Sequence, residues 1–124
     1  MRKFIVLSGA FALAAVIFSF ASNDNSVVGH WTITDKKSGT KTIIDFRTNG
    51  TMKAAIPKEH FSVEGHYKLN ANILSMVDST CGKNYWGKYK VKFLSNDSFY
   101  TESIEDACMG RKSCMEKATL VKNK

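Results

Sequence analysis

Cys81, Cys108 and Cys114 are the residues of this 124-residue chain best suited to covalent chemistry. An oxidising compartment permits one disulfide among them and leaves one thiol over, and spacing alone leaves the pairing open. There is no Cys-x-x-Cys, and no histidine lies near any of the three, so the pattern is wrong for zinc. A catalytic thiol needs a histidine and an asparagine or aspartate beside it, and nothing here places them. His30, His60 and His66 are the only histidines. His60 and His66 with Glu59 and Glu64 hint at metal ligands. Alternation, however, puts His66 and Glu64 on the outward face of one strand and His60 in the loop before it, so they read as solvated surface residues. With no acid–base pair and no activated nucleophile, the expectation is a non-enzymatic protein that uses no metal and no cofactor.

Two further groupings suit binding. Lys88, Lys90 and Lys92 form a basic stripe on one strand face, with Lys83 and Trp86 nearby. An aromatic beside lysines suits an anionic glycan, a lipid surface or an acidic protein, while the same stripe also serves as a solvated, edge-protecting strand. The second grouping is inward and apolar: Phe46, Met52, Ile56, Val63, Tyr67, Tyr89, Val91 and Phe93. Around a cavity these side chains would be its walls, with the hydroxyls of Tyr67 and Tyr89 orienting a mostly apolar ligand. Without a cavity they are a packed core, and each buried hydroxyl still needs a partner.

The elements that position these residues read as short strands with a period of two. Val27–Thr34 comes first, with Gly29, Trp31 and Ile33 on one face. Lys41–Arg47 and Thr51–Ile56 are joined through Thr48-Asn49-Gly50, where Asn-Gly accepts the positive φ of a tight hairpin turn. Pro57, the only proline, ends the third strand. Ser62–Leu69 and Ile73–Ser79 form the next pair. Tyr85–Leu94 alternates most cleanly, then Ser95-Asn96-Asp97 turns into Ser98–Ile104. Both Asn-x-Ser/Thr triplets, Asn49-Gly50-Thr51 and Asn96-Asp97-Ser98, are read as hairpin turns. Glu105–Ser113 looks irregular, with at most one helical turn, and Cys114–Lys122 completes the set as the eighth strand. Short connections force antiparallel neighbours, hence an up-and-down meander. Closing it into a barrel removes both edges and buries the alternating face in one step.

The beginning of the chain carries a different signal. Met1-Arg2-Lys3 is basic, Phe4 to Phe20 is almost wholly apolar, and Ser19-Phe20-Ala21 offers small residues before the Ala21–Ser22 bond. That order is a secretory signal peptide over residues 1–21, with a short lead over 22–26 and one domain over 27–124. The apolar stretch is shorter than the roughly 20 residues of a spanning helix, so no membrane span is expected after cleavage. Loss of Arg2 and Lys3 with the leader lowers the formal charge from +7 to +5. A secreted or periplasmic setting with a moderately basic surface argues against nucleic acid and leaves anionic surfaces or proteins as partners.

Several motifs, in order, resemble one group of proteins. The Gly29-x-Trp31 opening, the Phe46-x-x-Asn49-Gly50-Thr51 hairpin and the Gly65-x-Tyr67-x-Leu69-x-x-Asn72-x-Leu74 pair are similar to small bacterial lipocalin-like secreted domains. These belong to the wider lipocalin, avidin and fatty-acid-binding superfamily. Gly87-x-Tyr89 and the ending Asp106-Ala107-Cys108-x-Gly110-Arg111 extend the likeness to nearly the whole of 27–121. The resemblance implies that Trp31 plugs one end of an eight-stranded barrel, beneath a basic side chain of the last strand, Lys122 or Lys117. It also favours a Cys81–Cys108 disulfide, leaving Cys114 as a small inward residue or free thiol.

The expected function is that of an exported binding protein holding a small apolar or amphipathic ligand, with Phe46, Met52, Tyr67, Tyr89 and Phe93 as walls. An open cup of at least about 300 Å³ would favour this reading. The rival is a filled barrel acting through its outer surface, at Trp86 with Lys88, Lys90 and Lys92, as an inhibitor or cell-envelope partner.

Overall fold

The computed structural model describes residues 26–82 and 84–124. The expected signal peptide and most of the lead fall outside the described residues, as does Lys83. Eight antiparallel strands form one closed barrel in sequence order. They are β1 (Gly29–Thr34), β2 (Lys41–Phe46), β3 (Thr51–Ile56), β4 (Phe61–Asn70), β5 (Ile73–Asp78), β6 (Gly87–Ser95), β7 (Ser98–Glu105) and β8 (Ala118–Lys122). A 3-10 turn, Pro57–Glu59, links β3 to β4, and one α-helix, α1 (Met109–Met115), lies between β7 and β8.

Period-two patterning explains the wall. Along β6, Gly87, Tyr89 and Val91 are buried while Lys88, Lys90 and Lys92 are exposed. Closure rests on a short seam in which Trp31 faces Lys122 and Thr32 faces Val121. Beyond it, the Asn123 N–H donates to the His30 carbonyl at 2.8 Å. This seam satisfies the two strand edges that an open sheet would leave bare.

The two ends differ. The connections at 47–50, 71–72 and 96–97 are tight turns at one end, and Gly50 sits at φ +86° in the first of them. The other end carries the longer loops at 35–40, 57–60, 79–86 and 106–117. At the tight-turn end Trp31 is fully buried, with its ring edge on Phe99 at 4.6 Å and Phe93 packed behind at 5.4 Å from Phe99. Its indole N–H donates to the Val27 carbonyl at 2.8 Å. Lys122 Nζ lies 5.4 Å from the Trp31 ring centroid, so Lys122, and not Lys117, covers the plug. Gly29 makes room for it. At φ +141° the backbone is hostile to a side chain, and a Cβ would stand 2.9 Å from Lys122 Cε.

Three boundaries depart from the pattern reading by two residues or more. β1 begins at Gly29, two residues later than expected, and Val27 serves as the acceptor for Trp31 instead. β6 begins at Gly87, so Tyr85 lies in the preceding loop and is exposed. The last strand does not start at Cys114. Residues 109–115 are helical, and β8 covers only Ala118–Lys122. The reason is a four-residue spacing: Arg111 and Met115 are both buried, one turn apart on the inner face of α1. A helix of seven residues is too short to show that periodicity clearly in sequence.

Candidate functional site

The longer loops surround a cup of about 250 Å³. Ile44, Met52, Ala54, Ile56, Val63 and Met76 supply apolar wall from four adjacent strands, β2 to β5. Cys114 and Met115 face it from α1, and Glu59, Phe61 and Thr80 stand in its lining. α1 is held down from within, because the Thr101 hydroxyl on β7 donates to the Met115 carbonyl at 2.7 Å. A wider depression of about 510 Å³ is more open, and its lining includes the outward Glu64 and His66. Its charged groups engage each other, with Arg47 Nη1 3.8 Å from Glu64 Oε1, so it makes a poorer binding cup.

One side of the cup is formed by a buried ion cluster, since Asp78 and Arg111 belong to its lining. Arg111 grips the Asp106 carboxylate with two prongs, Nε to Oδ2 at 2.8 Å and Nη2 to Oδ1 at 2.9 Å. The Tyr89 hydroxyl donates to Asp106 Oδ2, and the Cys108 N–H donates to Oδ1 at 2.9 Å. Arg111 Nη2 also donates to the Tyr85 carbonyl. On its other side, Nη1 faces Asp78 Oδ2 at 3.4 Å, an ion pair without hydrogen-bond geometry. The cluster ties β5, β6, the loop before β6 and the β7–α1 loop to the helix. The Cys81–Cys108 disulfide, with Cα atoms 5.6 Å apart, fastens the same two loops covalently. Closing that 27-residue separation constrains the unfolded chain by roughly 3–4 kcal/mol in the chain-entropy view. Gly87 is part of the design, since a Cβ there would run into the Asp106 carboxylate.

The electrostatics arise from burial and partners. Burial pushes the Asp106 carboxyl up, but hydrogen bonds from Arg111, Tyr89 and the Cys108 backbone, with the Arg111 charge, hold it below the usual carboxylate range. Burial also works against the Arg111 charge, and the Asp106 and Asp78 carboxylates overcome it, so Arg111 is held more firmly protonated. Tyr89 is pushed up by burial and by donating to Asp106. Burial raises the Cys114 thiol, with Thr42 offsetting part of the effect, so this thiol is a weak nucleophile at neutral pH.

Stability should therefore depend on pH. Because Asp106 binds its proton less readily when folded, its contribution to stability is complete above the ordinary carboxylate range, near 4. It is lost as pH falls from there through the depressed value. Urea midpoints measured downward from pH 6 are expected to drop most steeply below about pH 4. Asp106→Asn should flatten that limb; an unchanged slope would show that other carboxylates govern it.

The predicted walls divide. Met52 lines the cup, while Phe46, Tyr67, Tyr89 and Phe93 do not. Phe46 packs edge-on against Tyr67 at 4.9 Å, and Phe93 belongs to the cluster above Trp31. Neither tyrosine is free to orient a ligand as expected, because Tyr67 donates to the Arg47 carbonyl at 2.6 Å and Tyr89 to Asp106. The inward face is continuous, but aromatic side chains fill the plugged half and smaller ones leave space only under α1. Asp78, Asp106 and Arg111 form their cluster without a sequence pattern that marks them as a site. The sole trace was the Asp106…Arg111 spacing, and nothing local connects it to Asp78.

On the outer wall, Lys88, Lys90 and Lys92 are exposed as expected, yet the stripe is not purely basic. Lys88 pairs in register with Glu105, and Lys90 with Glu102. Trp86 lies under Lys68, whose Nζ is 5.0 Å from the ring centroid. His30 Nδ1 is 3.3 Å from Asp45 Oδ1 on the surface, and His60 stands in the left-handed region at φ 54° after the 3-10 turn. Among the described residues, no group of three or more His, Cys, Asp or Glu side chains is placed to hold a metal ion. No described helix is long and apolar enough to cross a membrane.

The fold and cup together define a class: an eight-stranded up-and-down barrel, plugged at one end and hollow beneath a short helix at the other. No family model, no curated protein and no solved structure matches the chain.

Proposed function

We propose that this is an exported, non-enzymatic binding protein of the lipocalin-like superfamily, holding one small, mostly apolar molecule under α1. The observation behind the reading is the cup itself, at the end where long loops leave room. Its walls are mostly apolar but include Glu59, Asp78 and Arg111, and its volume of about 250 Å³ falls short of the open cup of about 300 Å³ expected from sequence. This is below the roughly 300–1,000 Å³ of pockets for drug-sized ligands, so the occupant is correspondingly small. The Trp31 plug beneath Lys122 supports the superfamily assignment. The Cys81–Cys108 bridge supports an oxidising, extracytoplasmic setting.

Native mass spectrometry of the protein purified from its own host tests this directly, with a co-purifying small mass as the expected result. Ala54→Trp fills the cup from its wall and is expected to remove that mass. It should also weaken binding of a small apolar fluorescent probe by about tenfold or more, because an occupied cavity has no partner atoms left to offer. A bare protein whose probe affinity ignores Ala54→Trp would defeat the proposal.

A further inference from the structure

Eight large apolar side chains stand exposed among the described residues, and five of them, Phe61, Tyr85, Trp86, Ile104 and Met109, lie on the loops or strand ends around the cup. Met109 is 67% exposed and Tyr85 52%. Single exposed apolar residues are ordinary, but five gathered at one end of a small barrel form a rim. Two of the loops that carry them are tied to each other. The disulfide joins Cys81 to Cys108, Arg111 holds the Tyr85 carbonyl, and Phe61 stands in the lining of the cup itself. The loops bearing Tyr85, Trp86 and Met109 are therefore held together, and ordering them costs little on contact.

Charge accompanies this rim. The described loops at this end carry Lys36, Lys37, Lys58, Lys112 and Lys117, against the exposed carboxylates of Asp35, Glu59 and Glu116. Lys58 sits in the 3-10 turn just before Phe61, and Lys112 lies three residues beyond Met109 on α1. Lys68 covers one face of Trp86. Trp and Tyr rings with lysines beside them match the boundary between lipid headgroups and acyl chains, where the ring sits in the interface and the ammonium stays among phosphates.

We propose that the cup end docks on an anionic lipid surface, with Tyr85, Trp86, Met109 and Phe61 entering the interface. A bilayer fits this rim better than a protein partner does. The apolar groups protrude from separate loops with lysines among them, whereas a protein contact needs a continuous, shape-matched patch; a fluid, anionic interface accommodates separate apolar groups flanked by ammonium groups. The inference stands whether or not the cup is occupied, since three of the four side chains, Tyr85, Trp86 and Met109, are outside its lining and only Phe61 borders both.

The test is sedimentation with vesicles. The apolar stretch Phe4–Phe20 would itself enter lipid, so the chain beginning at Ser22 is used, which contains every residue of the closed barrel. Binding is expected to vesicles of phosphatidylcholine mixed with phosphatidylglycerol, weaker binding to phosphatidylcholine alone, and a loss of affinity with added salt. The double variant Trp86→Ser/Met109→Ser should bind about tenfold or more weakly. Its urea midpoint should fall only slightly, because Met109 is 67% exposed, Trp86 loses chiefly its contact with Lys68, and neither belongs to the ion cluster. Ala54→Trp should bind vesicles like the parent protein, which separates failure of this proposal from failure of the ligand reading. Absence of binding to the mixed vesicles, or equal binding by the double variant, would overturn the proposal. So would rim-dependent self-association in sedimentation velocity without vesicle binding, which would assign the rim to protein contact.

Discussion

Replacing Arg111 with methionine is expected to destabilise the barrel by about 3–5 kcal/mol, because it strands two buried carboxylates without their shared cation. The Asp106 side chain is fully buried and that of Asp78 nearly so, and among the described residues Arg111 is the one cation in contact with both. Methionine keeps much of the stem's volume, so the loss measures the charge and its hydrogen bonds more than packing. Urea unfolding at pH 7 would read the deficit. It should shrink as pH falls, since the unpaired Asp106 can then neutralise itself by taking up a proton. Asp106→Asn in the same chain should recover part of the loss, because the two residues act as a unit and their effects do not add. A deficit under about 1 kcal/mol that ignores pH would contradict this account of how α1 and its loops are held.

The second large effect lies at the opposite end. Trp31→Ala is expected to cost about 3–5 kcal/mol by opening a cavity between Phe99 and the Val27 backbone. Trp31→Phe should cost less, since it keeps an aromatic ring against Phe99 and forfeits mainly the indole hydrogen bond and the contact with Lys122. Thermal and urea unfolding check both. Because the cup is lined by neither Trp31 nor Phe99, probe binding by whatever fraction remains folded should be unchanged. Equal losses for alanine and phenylalanine would mean that Trp31 matters through its N–H and not as a plug.

These two effects also show where the sequence was legible. Trp31 announces itself locally: a glycine two residues earlier, a large aromatic on the inward face, and a strand whose alternation fixes that face. The same holds for the wall as a whole. Tyr89 and Val91 alternate with Lys88, Lys90 and Lys92, and Tyr67 with His66 and Lys68, and those patterns are visible without any partner strand. Hairpin turns such as Thr48-Asn49-Gly50 fix antiparallel neighbours, and eight such neighbours close most economically as a barrel. Strand identity, facing and hairpin pairing are decided over distances of a few residues, so reading along the chain recovers them; closure joins β1 to β8 and follows from the need to cover both edges.

The site is another matter. Phe46, Tyr67, Tyr89 and Phe93, anticipated as walls, do face inward, but facing inward does not say at which height along the barrel a side chain fills or leaves space. Height depends on strand tilt and register around the whole barrel, which only the assembled wall defines. Cys114 was read into the last strand because Arg111 and Met115 make a single helical turn, too short to outweigh an alternating pattern. Asp78 and Arg111 lie on different elements and meet only once the barrel has closed and the disulfide loops have come together. The chain's own alternation therefore determined the strands, their inward faces and the hairpin neighbours, including the inward Trp31, because these arise from residues close together in sequence, while the β1–β8 seam and the contacts of Trp31 with Phe99 and Lys122 complete the barrel over long range. The cup, with the ion cluster that forms one side of it, was decided by tertiary structure, because it is made of side chains that share a place in space and no pattern along the chain.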